Sequence, residues 1–387
     1  MRDAVICAAV RTPVGKRGGG LSGVLAVDLS AHVLNALVER AGIEPALVED
    51  VFWGCVSQVG EQTFNIGRNA PLAAGWPETV TGTTIDRQCG SSQQAVAFAA
   101  ATVISGQADV VVAGGVESMS RVPMGSTYGV EGTGTPMGPT FLSRYGGVFP
   151  NQGVGAEMIA EQWGFSRTQL DEFSLASHEK AAKAQADGAF DEEIAPVTTP
   201  DGTVVSTDEG IRPGGTLEKL ASLKTPFKED GVISAGNASQ ISDGSAALLV
   251  TTSEKARELG LRPIVRVHTT VMAGADPVIM LTAPIPATQK ALTRSGLSIG
   301  DIGAYEVNEA FAPVPLAWLA DIEGADSDRL NPHGGAIALG HPLGGSGARI
   351  MTTLIHRMQA TGTRYGLQTM CEGGGMANAT ILELVNA

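Results

Sequence analysis

Three stretches of the chain hold residues able to do thiol chemistry. Cys89 lies in Thr84-Ile85-Asp86-Arg87-Gln88-Cys89-Gly90-Ser91-Ser92-Gln93-Gln94, between a β-type segment and the alanine-rich run 95–101, with Ser91 and Ser92 as candidate helix caps. At a helix start the first free amides point at the sulfur and the dipole favours an anion, so a thiolate is expected at lower pH than in free cysteine. A second cysteine, Cys371, closes an apolar segment and runs into Gly373-Gly374-Gly375, while His341 sits in the glycine-rich loop 334–347 ahead of a helix. A thiol beside a histidine base is an activated nucleophile, and flanking glycines let backbone amides approach a substrate as an oxyanion hole requires. Each residue alone also has a plain reading: cysteine is among the most buried residue types, and a histidine in a glycine loop is often only a turn residue.

Groups so far apart in sequence meet only if strand ends converge. The pattern predicts a strand at 4–10, a helix at 28–40 on Leu29, Val33, Leu34, Leu37 and Val38, a buried strand at 48–59 carrying Cys55, and a helix at 65–74. A strand at 80–86, a helix at 92–104 and a strand from 109 into Gly114-Gly115-Val116-Glu117 follow. Strands alternating with helices, some continuously apolar, imply an α/β sheet with parallel strands covered on both faces. Residues 118–150 lose periodicity, helices return at 155–163 and 167–187 behind the N-cap Ser166, and the polar stretch 191–231 carries Arg212, Lys219, Lys224 and Lys228. After re-entry at 236–244 come strands at 246–251, 264–270 and 302–307, helices at 253–259, 286–295 and 346–358, and an apolar segment at 365–375. The succession 84–104 then 110–115 is replayed by 331–358 then 365–375. Two similar halves would bring strand-end loops to one side, where α/β sheets bind ligands.

Of the 387 residues 50 are glycine, roughly twice the usual share, and they cluster around these motifs. A formal charge of −14 argues against a nucleic-acid surface, which needs clustered Lys and Arg. Cys7, Cys55, Cys89 and Cys371 lie far apart without a CxxC pair, so neither a metal site nor a disulfide framework is expected. The first residues are apolar too briefly for a membrane span or a leader, and the reading is a cytoplasmic protein with reduced thiols.

The motifs Asp86-Arg87-Gln88-Cys89-Gly90-Ser91, Gly236-Asn237-Ala238-Ser239 with Asp243-Gly244, Asn308-Glu309-Ala310-Phe311, Gly340-His341-Pro342 within 334–347, and Cys371-Glu372-Gly373-Gly374-Gly375 resemble the signature set of the thiolases, the acetyl-CoA acetyltransferase and 3-ketoacyl-CoA thiolase family. They stand in family order and spacing across essentially the whole chain. The resemblance implies a duplicated αβαβα fold of five layers. Residues 1–118 with 237–258 form one half, 259–387 the other, and 119–236 an inserted loop domain for coenzyme A binding and oligomer contacts. It also implies roles. Cys89 is acylated, His341 takes its proton and helps bind the thioester oxygen, and Cys371 is the second acid/base. Asn308 holds a water that joins His341 in one oxyanion hole, and the amides of Cys89 and Gly373 make another, where one donor can be worth roughly 3 kcal/mol.

By the same resemblance Arg212 approaches the nucleotide end of coenzyme A, Ser239 the pantetheine amides, and Phe227, Ala235, Ala310 and Phe311 the pantetheine channel. Arg212 also reads as a solvated surface charge, and Ser239 as a turn residue. Coenzyme A is a substrate, with no tightly bound cofactor, and a homodimer or homotetramer is implied. Asn151-Gln152-Gly153 stands where biosynthetic acetoacetyl-CoA thiolases commonly carry His-Met-Gly, which leaves a longer fatty or steroid side-chain acyl group open. Thiolytic cleavage of a 3-ketoacyl-CoA is therefore favoured. Biosynthetic acetoacetyl-CoA formation and a non-catalytic acyl-CoA or lipid-binding protein are the alternatives. A related decarboxylating ketosynthase would carry His or Asn in place of Cys371. His333 reads as a structural loop histidine, and Glu117 and Glu309 either orient site loops or are buried acids with backbone partners.

Overall fold

A computed structural model of the chain describes residues 2–128 and 130–385. It opens with β1 (Val5–Arg11), α1 (Ala26–Ala41), β2 (Asp50–Gly54), α2 (Ile66–Ala73), β3 (Thr81–Ile85), α3 (Ser91–Ser105) and β4 (Val110–Ser118). The excursion that follows carries α4 (Gln152–Trp163) and α5 (Arg167–Ala186) before the chain returns as β5 (Ser242–Thr251). The second half runs β6 (Val265–Gly274), α6 (Pro284–Ser295), β7 (Ala304–Val307), α7 (Pro313–Asp321), α8 (Leu343–Thr361), β8 (Tyr365–Glu372) and β9 (Met376–Leu384).

The duplication is visible in strand order and sense. The first half runs β2-β4-β5-β1 and the second β7-β8-β9-β6. In both, the first pair is parallel and the later pairs are antiparallel. β3 lies parallel outside β2, and a single parallel bridge from Tyr305 to Leu330 marks the same place in the second half. Val5 and Ile6 pair with Arg266 and Val265, which joins the halves into one ten-stranded sheet. The expected parallel strands are β2–β3, β2–β4 and β7–β8, and the other strand pairs of this sheet named here are antiparallel. Each half ends with a strand that returns beside its neighbour. In the second half that return is β9, reached through Gly374 and Gly375 at φ +85° and +75°, and the pattern that stopped at 375 missed it. Pro313 and Pro315 likewise concealed α7, whose first turn tolerates proline because those amides need no helical partner.

Continuous apolar runs such as β4 make sense because both faces are covered. Val110, Val112 and Val116 point to an outer core with α1 and α2, whereas Val111 and Ala113 point to an inner one with α3 and α8. α6 and α7 cover the second half's outer face through Ile285, Ala291, Trp318 and Ile322. The layers are thus helix, strand, helix, strand, helix, with α3 and α8 in the middle.

That middle layer is close-packed and internally polar. Gln93 donates to Gln368 O (3.2 Å) and Thr380 Oγ1 (2.9 Å), and Gln368 donates back to Gln93 Oε1 (3.0 Å) and to Gly347 O (2.8 Å). A side chain at Gly347 would collide with the backbone amide of Gln93 and lie 3.0 Å from its Cα. Gly347→Ala is expected to lower unfolding stability by about 1–3 kcal/mol, because helix backbones rather than a flexible side chain must move. Denaturant midpoints equal to wild type would show that the two helices separate freely.

Charges are buried here as well. Arg11, fully buried on β1, donates to Glu193 (2.6 Å) and to both oxygens of Asp208 (2.7 and 2.9 Å), fastening the excursion to the core. On β7, burial pushes the Glu306 carboxyl from its ordinary 4.5 up to about 8, with Arg349 pulling the other way. A carboxyl raised by folding contributes stability that is full below its unfolded value and is lost as pH rises through about 8. Between pH 5 and 8, Glu306→Gln should therefore lose on the order of 2 kcal/mol less stability than wild type in denaturant titrations. Parallel pH curves for the two proteins would contradict this.

Candidate active site

Cys89 follows β3 on a tight turn. Gln88 is at φ +48°, Gly90 N donates to Arg87 O (3.1 Å) and Ser91 N to Gln88 O (3.0 Å). Ser91 and Ser92 do not cap the helix, contrary to expectation. α3 begins at Ser91 behind Gly90, with no side-chain cap. The Ser91 hydroxyl accepts from Arg87 N (2.9 Å) and donates to Gln88 O (2.5 Å), bracing the turn, and Ser92 Oγ accepts from Ala348 N (2.9 Å), binding α3 to α8. The expected low-pH thiolate is also overturned. Burial pushes the Cys89 thiol well above its ordinary range; Cys371 and Glu372 push the same way, and only its own backbone amide opposes them. The free protein therefore holds Cys89 as a thiol and needs a base.

His341 sits between Gly340, at φ +94°, and Pro342 at the head of α8. A side chain at Gly340 would collide with Ser242 Oγ, which accepts from His341 N at 3.1 Å. The Ser346 hydroxyl donates to Pro342 O (2.8 Å), so it is left to accept from His341 Nδ1 (2.5 Å). That assignment puts the proton on Nδ1 and the free lone pair on Nε2. Burial, then Arg349, pushes the imidazole down to about 3, keeping it neutral.

Asn308 follows β7, where its amide donates to Thr369 O (3.1 Å). Its Nδ2 lies 3.5 Å from His341 Nε2 and 3.8 Å from Cys371 Sγ. Cys371, fully buried near the end of β8, is pushed up to about 12 by burial, with Asn308 drawing it down. A side chain at Gly373 would meet Gln88 Oε1 at 2.9 Å, so this glycine abuts the Cys89 turn. Cys89 and Asn308 follow β3 and β7, Cys371 and Gly373 lie at the end of β8 and just beyond it, and His341 precedes α8, so the site draws on both halves.

The residues expected at coenzyme A are more scattered. Phe227 stacks edge-on to Phe311 at 6.1 Å, and Ser239 N donates to Ala310 O (2.9 Å). Ala310 and Phe311 are buried, while Ala235 is exposed. Arg212 is exposed, its Nη2 donating to Gln240 Oε1 (3.2 Å) and its amide to His178 Nδ1 (3.2 Å). Lys228 is taken up by Glu161 at 2.9 Å. Asn151 acts locally as the cap of α4, accepting from Gly153 N (2.9 Å) and Val154 N (3.2 Å), and the ring of Phe227 covers Gly153 so closely that a side chain there would have to displace it.

The structure also shows what the two glutamates do. Glu117 accepts from Val56 N (2.9 Å), Ser57 N (3.0 Å), Gln62 Nε2 (2.7 Å) and Gly344 N (2.8 Å), tying the loop after β2 to the first turn of α8. Glu309 accepts from Ser177 Oγ (2.7 Å), Asn331 Nδ2 (2.8 Å) and Ile337 N (3.2 Å) and holds the loop ahead of His341. His333 accepts from Arg357 Nη1 (3.1 Å) and faces Phe190 edge-on, a packed loop histidine. Ser346 escaped sequence reasoning; its only signal is a hydroxyl in the helix turn after the histidine. Among the described residues no group of three or more His, Cys, Asp or Glu is placed to hold a metal, and no helix is long and apolar enough to cross a membrane.

Two buried thiols and a neutral histidine at the strand ends of a duplicated five-layer α/β fold define an acyl-transferring enzyme class. The family descriptions "Thiolase, N-terminal domain" and "Thiolase, C-terminal domain" match residues 4–254 and 261–384, and the chain belongs to the thiolase family. It is 50% identical over 388 residues to "Steroid 3-ketoacyl-CoA thiolase FadA6" of Mycobacterium tuberculosis, covering 99% of this chain and 94% of that one. It is 44% identical to the "3-ketoacyl-CoA thiolase" of Aliivibrio fischeri, over 99% of this chain and all of that protein. The crystal structure of the Bacillus anthracis acetyl-CoA acetyltransferase superposes with a TM-score of 0.91 at 40% identity, covering 100% of this chain and 99% of that one. The protein is an acyltransferase.

Proposed function

We propose that this thiolase cleaves 3-ketoacyl-CoA esters with a long or bulky acyl part, releasing acetyl-CoA and passing the acyl group to coenzyme A. The arrangement that carries the reading is Asn308 Nδ2 lying between His341 Nε2 and Cys371 Sγ, since binding alone needs neither a base nor a second thiol there. Cys89 Sγ attacks the C3 carbonyl as its proton passes to His341 Nε2. The C2–C3 bond breaks, and Cys371 gives its proton to C2, releasing acetyl-CoA. The Cys371 thiolate then takes the proton of an incoming coenzyme A thiol, which attacks acyl-Cys89; the proton on His341 returns to the Cys89 sulfur. Asn308, through a water, and His341 stabilise one oxyanion; the amides of Cys89 and Gly373 stabilise the other.

Arg212 and Ser239 contact the nucleotide and pantetheine of coenzyme A, with Phe227, Ala235, Ala310 and Phe311 along the channel. The Phe227–Phe311 contact supports that placement. The bulky acyl group is supported by the 50% identity to the steroid thiolase and by the helix-capping Asn151 where acetoacetyl enzymes have histidine. Residues 119–236 form the loop domain, and exposed Met124, Tyr128 and Phe149 there support a homodimer or homotetramer. The protein works in the cytoplasm with reduced thiols and no tightly bound cofactor.

A panel of 3-ketoacyl-CoA esters with short, long and sterol-derived acyl chains tests the reading. With coenzyme A added, loss of ketoacyl absorbance should be fastest for the bulky members. Absence of turnover across the panel would overturn the assignment, and preference for acetoacetyl-CoA would overturn its substrate class.

A further inference from the structure

The backbone just ahead of His341 has carbonyls that the helix itself cannot satisfy. Ala336–Leu339 make a single helical turn, and the chain then leaves through Gly340, at φ +94°, to His341 and Pro342. In a continuing helix Ile337 O would accept from His341 N and Ala338 O from the next amide. Pro342 has no N–H, however, and His341 N is given to Ser242 Oγ (3.1 Å). Both carbonyls are met instead by Gln240, whose Nε2 donates to Ile337 O (2.8 Å), Ala338 O (3.1 Å) and Gly210 O (2.9 Å). Three carbonyl acceptors around one atom assign the nitrogen of the amide to that side. The other end, Oε1, accepts from Arg212 Nη2 (3.2 Å). The backbone of the same residue completes the clamp, because Gln240 O accepts from the Ser242 hydroxyl (2.9 Å) that receives the His341 amide.

We propose that Gln240 is a positioning residue that caps the turn ahead of His341 and ties it to Arg212, so that the base and the coenzyme A end of the site are set in place together. The inference deepens the proposed function and rests on its roles for Cys89, His341 and Arg212. Two further contacts join the same pair of loops. Gly210 lies so close to the turn that an added side chain would meet Ala338 O at 2.7 Å. On α5, Ser177 Oγ accepts from Gly335 N (3.0 Å), and its neighbour His178 accepts from Arg212 N through Nδ1 (3.2 Å). Those contacts bring the two backbones together, whereas the guanidinium of Arg212 reaches the turn through Gln240.

The test is the rate at which acetyl-CoA acetylates Cys89 in the full-length protein, read by peptide mass spectrometry as acetyl-CoA is raised, which gives a limiting rate and a half-saturating concentration. Gln240→Met has similar length but no amide. It should lower the limiting rate roughly ten- to a hundredfold, as a base misplaced by about 1 Å would, and raise the half-saturating concentration as Arg212→Ala does. Gln240→Glu keeps an oxygen for Arg212 but offers the carbonyls no donor, so only its limiting rate should fall. In the double variant of Arg212→Ala with Gln240→Met, the half-saturating concentration should be no higher than in Arg212→Ala alone. A residue that merely stabilises the fold would change the labelled fraction and leave both constants at their wild-type values. That result overturns the proposal, as does a limiting rate within about twofold of wild type or additive effects in the double variant. Should the methionine variant fail to fold, Gln240→Glu carries the same limiting-rate prediction. If wild-type Cys89 takes up no acetyl group, the underlying mechanism fails instead. If Arg212→Ala leaves the half-saturating concentration unchanged, the place of Arg212 at coenzyme A fails, and the limiting rate of Gln240→Met still decides whether Gln240 positions His341.

Discussion

With Cys371 replaced by alanine, the enzyme should still accept an acetyl group from acetyl-CoA on Cys89, yet lose at least about 10³-fold in cleavage of 3-ketoacyl-CoA. The split follows from geometry. Cys371 shares Asn308 Nδ2 with His341, while the mechanism proposed above gives the proton of Cys89 to His341 Nε2. Removing the second thiol therefore leaves the first half of acyl transfer its nucleophile, base and oxyanion donors. The carbon–carbon step, by contrast, loses the proton donor proposed for C2. The fully buried Cys371 site accepts alanine with little repacking, so an effect on turnover is separable from unfolding. Equal loss of acylation and cleavage would contradict this division of labour.

Cys89→Ser should be more severe, roughly 10⁴-fold or greater in turnover, with no stable acyl-enzyme. The side chain is nearly isosteric and the site is buried, so the turn braced by Ser91 should persist. What fails is ionisation. Even the thiol is held protonated by burial and by its neighbours, and an alcohol is a far weaker acid in the same place. Steady-state rates with unchanged far-UV circular dichroism would establish the effect; turnover within tenfold of wild type would rule out Cys89 as the acyl carrier.

The chemistry was more legible in the sequence than the scaffold's details. Glycine-flanked Cys89, His341 and Cys371 are visible because each interrupts an apolar run with residues that only a site or a tight turn requires, and the structure gathers them with Asn308. The replay of 84–115 by 331–375 survives as the shared strand order of the two halves. Strand sense was not legible, because a buried strand reads apolar on both faces whether its neighbours run parallel or antiparallel. β9 was missed because a hairpin turn at Gly374 and Gly375 looks, in sequence, like the end of a site loop. Ionisation was misjudged for Cys89: the helix-start argument holds only where the sulfur meets water or a cation, and here burial dominates. Ser346 and Glu117 depend on contacts across hundreds of residues or on one hydroxyl's orientation, and local pattern carries neither.

The most direct test of the account is mass spectrometry of peptides from the protein quenched after incubation with acetyl-CoA. An acetyl group on the peptide bearing Cys89, removed again on adding coenzyme A, is the predicted result. An acetyl group on Cys371, or none that coenzyme A can remove, would contradict it.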